Sequence, residues 1–202
     1  MFVTLTPAEM SDATDIGERR NRVAVAAGIQ SKYGAARDDA RLHILGAMGE
    51  CAFCKQLNIP WPRYINTYKH KPNVGEYDVQ CRSEAHYELM VRPDNNMDWK
   101  YVLVLGPRPP LFEIVGWKWG RDAQRDDWLK SYGGRPAAWF VPQGSLNKFA
   151  GEPNRFDDFI FDEPEPPIPS PLPDNNEYLK EFLAWAQRRR DAKRRHRQQR
   201  AK

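Results

Sequence analysis

The strongest limit on the fold is set by one run, KYVLVLG, at positions 100–106. It is almost continuously apolar. A short run of that kind reads as a strand buried on both faces, at the centre of a sheet. A central strand needs partners, and the flanking sequence offers them. EYDVQCRS at 76–83 alternates Tyr77, Val79 and Cys81 with Asp78, Gln80 and Arg82, and alternation of that period places the two sets on opposite faces. YELMVR (87–92), LFEIVGWKW (111–119) and AAWFVP (137–142) read as further strands, separated by the turn-forming PDNNMD and PRPP.

Helices are expected on either side of these strands. Residues 38–58 carry Leu42, Leu45, Met48, Ala52 and Leu57 at helical spacing, with Asp38 or Asp39 as a cap. Prolines at 60 and 62 follow this segment, and proline cannot continue a helix. Residues 16–34 read as helical with breaks at Gly28 and Gly34, residues 1–15 as irregular, and residues 121–133 as a short helix. The order of elements gives an α/β (mixed α+β) fold with a central mixed β-sheet flanked by helices.

The expected organisation is a helical extension over 1–37, a core domain over 38–162, a proline-rich spacer over 163–173 and a basic helix over 174–202. Charge is distributed unevenly along it. The chain of 202 residues carries +4 formally. Residues 187–202 hold nine Lys/Arg and one Asp, or +8, so residues 1–186 carry −4. Any attraction to nucleic acid across the body must therefore come from local patches. The tail residues Arg188, Arg189, Arg190, Lys193, Arg194, Arg195 and Arg197 are the expected phosphate contacts. The apolar front of the same helix, with Tyr178, Leu179, Phe182, Leu183 and Trp185, could instead dock on a protein partner. No stretch approaches the roughly 20 apolar residues of a membrane span, and the first fifteen residues lack the pattern of a signal peptide. With three cysteines, a reducing cytoplasmic setting is expected. Cys51 and Cys54 read as buried free thiols ahead of a zinc or redox pair.

The stretch KPNVGEYDVQCR, with Glu50 on the preceding helix, resembles the PD-(D/E)XK nuclease superfamily. Glu50 matches the helix glutamate of that family. Pro72-Asn73 stands where Pro-Asp belongs, and Asp78-Val79-Gln80 where Asp/Glu-x-Lys belongs. The resemblance covers residues 38–149 and implies a restriction-endonuclease-like fold in a phage or bacterial setting. It implies Mg²⁺ or Mn²⁺ held by Glu50, Asp78 and Asn73, and hydrolysis of phosphodiesters, with DNA the expected substrate. Asp78, Gln80 and Arg82 would be the catalytic residues. Two departures from the family pattern bear on activity. Asn73 replaces a carboxylate with a neutral amide, and Gln80 replaces the lysine. Arg82 lies on the same strand face and could supply the positive charge, although its pKa is too high for it to deprotonate water. The alternative is a catalytically inactive nuclease-fold protein that binds nucleic acid or protein, as an inhibitor or an assembly component.

Overall fold

A computed structural model describes residues 1–28, 40–65 and 71–149. The chain divides into two units, Met1–Phe159 and Ile160–Lys202. The second unit, with the spacer, the basic helix and the seven tail residues assigned to phosphate contact, lies outside the described residues, as does the expected cap at Asp38 or Asp39.

Strand β1 (Phe2–Thr4) is followed by helix α1 (Pro7–Ala26) and helix α2 (Ala40–Gln56). Then come β2 (Tyr77–Arg82), β3 (Leu89–Val91), β4 (Lys100–Arg108), β5 (Leu111–Trp119), β6 (Leu129–Lys130) and β7 (Ala138–Val141). The strands form two sheets. One is four-stranded, in the order β1-β5-β4-β2, with β2 parallel to β4 and the other pairs antiparallel. The other is antiparallel, in the order β3-β7-β6. The mixed α/β expectation therefore holds at the level of class, but the strands do not share one sheet.

The run at 100–106 sits within β4, an inner strand whose residues Tyr101 to Leu105 are all buried. Its two faces enter two different cores. Val102 and Val104 pack with Phe112, Ile114 and both helices. Tyr101, Leu103 and Leu105 pack with Leu89, Val91 and Val141 of the smaller sheet. Both α-helices feed the first core and neither feeds the second, so the four-stranded sheet has helices on one face and the second sheet on the other.

Two segments differ from the sequence expectation. Residues 1–15 are ordered into β1 and the start of α1. Thr6 caps α1 through a reciprocal capping box: the Glu9 N–H donates to Thr6 Oγ1 at 3.3 Å, and the Thr6 N–H donates to Glu9 Oε2 at 2.6 Å. Residues 1–28 are thus built into the core and do not stand apart from it. Residues 121–133 form no α-helix. They make two short 3-10 turns, Arg121–Ala123 and Asp126–Trp128, and then β6, because Ala123 and Trp128 are drawn into the second core.

Candidate nucleic-acid interface

Helix α2 lies very close to β2. A Cβ on Gly49 would stand 2.4 Å from Cys81 Cβ, so only glycine fits there. This approach fixes the neighbouring Glu50, the one buried charged residue among those described. A carboxylate at 2 % exposure needs a partner, and Arg20 of α1 provides it. Arg20 Nη1 donates to Glu50 Oε1 and Nη2 to Oε2, each at 2.7 Å. The Trp61 indole N–H reaches Oε2 at 3.4 Å. Arg20 Nε also donates to the Tyr64 carbonyl at 2.7 Å, which fixes the fork. This is a bidentate pair, the strongest arrangement open to the two side chains.

Asn73 has a different task from the one its place in the motif implies. Gly75, at φ +55°, turns the chain between Val74 and Tyr77, which bond reciprocally at 2.9 and 2.8 Å. The turn brings Asn73 alongside the outer edge of β2. Its Nδ2 donates to the Val79 carbonyl at 2.9 Å, and its Oδ1 accepts from the Val79 N–H at 2.7 Å. β2 is an edge strand, and Asn73 satisfies its backbone there as a neighbouring strand would. Only a side chain with one donor and one acceptor can do this.

Asp78, Gln80 and Arg82 share the β2 face opposite Tyr77 and Val79, as the alternation predicts. Asp78 accepts from the Gln80 side chain and from the Asn73 backbone N–H. Its pKa is pushed up to about 7, first by desolvation and then by the charge of Glu50, with Arg92 opposing. Glu50, Asn73, Asp78 and Gln80 are therefore brought into one neighbourhood. Arg82 lies further along the strand, its guanidinium 4.6 Å from the Tyr87 ring centroid. Burial and the nearby Arg92 lower its pKa. Arg82 Nη1 is buried without a hydrogen-bond partner.

As a divalent-metal site this donor set does not fit. Mg²⁺ demands near-octahedral oxygen ligation. Both Glu50 oxygens are held by Arg20, and the Asn73 oxygen is held by Val79. Among the described residues, no three His, Cys, Asp or Glu side chains cluster in a way that could hold a metal. The thiols offer no alternative. Cys51 and Cys54 are buried and free, and burial pushes the Cys51 pKa up to about 11 and that of Cys54 higher still.

The sequence signalled that Glu50 needed a partner but not which one. Arg20 lies thirty residues away on another helix. Arg92 and Tyr87, which neighbour Asp78 and Arg82, carry no motif. Compared with known proteins, the chain matches no family model, no curated protein and no solved structure.

Proposed function

We propose that this chain is a nucleic-acid-binding protein on a nuclease-like scaffold that performs no metal-dependent hydrolysis, with DNA as its expected ligand. The observation that carries this reading is the bidentate Arg20–Glu50 pair. It occupies the carboxylate that the family resemblance would assign to the metal. Binding is supported by Arg82, a half-buried cation with one nitrogen unpaired, and by the +8 tail. A restriction-endonuclease-like ancestry remains part of the proposal and rests on the motif at residues 72–80.

The metal-dependent nuclease reading has one observation in its favour. Asp78 feels the charge of Glu50, and paired carboxylates are what a divalent ion relieves. One experiment separates the two. Labelled single- and double-stranded DNA is incubated with the full chain in Mg²⁺ and in Mn²⁺, with binding and cleavage read together. Salt-sensitive binding without cleavage is expected. Cleavage that is lost in Asp78→Asn would reject the reading.

A further inference from the structure

A pocket of 540 Å³ opens beside the end of β2, lined among others by Arg82, Tyr87, Tyr132, Arg135 and Phe140. That volume suits a small-molecule ligand. Its charge is lopsided. Glu88 on its wall is bound by Lys130 at 3.1 Å, while Arg82 and Arg135 make no ion pair with a described residue. Arg82 Nη1 is the buried donor that lacks an acceptor. Arg82 as a whole is half-buried and lines the pocket, and arginine forks match phosphate oxygens.

The other walls are aromatic. Tyr132 stands edge-on to Phe140 with ring centroids 5.0 Å apart, and Tyr132 is itself 52 % exposed. Such a surface takes a flat ring, and aromatic side chains are the usual platforms for nucleobases. An anion and a planar ring within one small pocket together describe a nucleoside monophosphate. Arg82 also stands on the same strand face as Gln80 and Asp78, roughly 13 Å from Asp78 at ordinary strand rise. A strand entering the pocket by its end would run along that face.

We propose that the pocket holds the phosphate-bearing terminal nucleotide of a nucleic-acid strand, with Arg82 and Arg135 on the phosphate and Tyr132 and Phe140 against the base. The nucleotide follows from the pocket; the strand rests on the nucleic-acid reading above.

The test titrates the full chain with dAMP, deoxyadenosine and inorganic phosphate by calorimetry. It then compares 5′-phosphorylated and 5′-hydroxyl tetranucleotides by fluorescence anisotropy. The variants are Arg135→Ala and Tyr132→Ala, both in exposed positions, with thermal melting as the check on folding. Saturable dAMP binding is expected, about tenfold or more tighter than either fragment. Each variant should weaken it by about tenfold with melting unchanged, and the 5′-phosphate preference should disappear in both. If dAMP binds no better than phosphate, or the variants bind it as the wild type does, the pocket assignment fails. Oligonucleotide binding that persists unchanged in both variants overturns the pocket and leaves the nucleic-acid reading standing. Binding of dAMP without binding of either tetranucleotide overturns the strand-end assignment and the nucleic-acid reading with it.

Discussion

The two faces of β2 treat their polar groups in opposite ways. On the helix side, Glu50 has both oxygens paired to Arg20, and along the strand's outer edge Asn73 pairs with both backbone groups of Val79. Every group there that a nuclease would turn toward a metal is committed to the protein itself. On the other face, Arg82 is half-buried with one nitrogen unpaired and lines a pocket. A structural network closes on itself, whereas a binding site leaves donors pointing at nothing. By that criterion Glu50 and Asn73, which look like metal ligands in the sequence, hold the fold together, and Arg82 is the residue left for the ligand we propose.

The largest way to break the contrast is to remove Arg20. Arg20→Met leaves Glu50 buried without its guanidinium, and the loss should be about 3–5 kcal/mol. Adding Glu50→Met should recover much of it, since apolar pairs of similar volume often replace buried ion pairs. Chemical denaturation of the two variants and the wild type measures both values. If Arg20→Met is as stable as the wild type, the pair is not structural.

Asp78 supplies a pH test. Its pKa is about 7 in the folded chain, against about 3.9 unfolded. Between those values the native state keeps a proton that the unfolded state has released. Stability therefore falls as pH rises from about 4 to about 7, and levels off above. Asp78→Asn removes that slope, so its advantage over the wild type should grow between pH 5 and pH 8, by about 2–4 kcal/mol in all. Parallel denaturation curves for the two proteins across that range would show that Asp78 titrates normally.

A smaller effect concerns the motif itself. Asn73→Asp writes the family's acidic residue into the chain, yet it removes the donor to the Val79 carbonyl and sets a carboxylate against that oxygen. A loss of about 1–3 kcal/mol is expected, with faster amide exchange at Val79. A gain in stability or in metal affinity would mean that the edge of β2 tolerates the change and that the motif is closer to working order.

Much of the sheet was legible in the sequence, because β4 is written as an unbroken apolar run and β5 as a strand-like segment bounded by a turn. The alternation in β2 likewise put Asp78, Gln80 and Arg82 on one face. The start of α1 was missed: Thr6-Pro7-Ala8-Glu9 carries a capping-box signal, yet residues 1–15 read as irregular. What could not be read was long-range. Nothing local says that β3, β6 and β7 leave the main sheet, or that residues 121–133 give up a helix to bury Ala123 and Trp128. The roles within the site were hidden for the same reason. Asn73 reads as a defective ligand until the turn at Gly75 brings it against Val79, and Glu50 reads as available until Arg20 arrives from another helix.

The most direct test of that last point is a calorimetric titration of the full chain with Mn²⁺ at neutral pH. With Glu50 held by Arg20 and Asn73 held by Val79, Asp78 alone should give no saturable binding in the low-millimolar range. Saturable binding that is lost in both Glu50→Gln and Asp78→Asn would contradict the account, and would mean that Arg20 releases Glu50 to a metal.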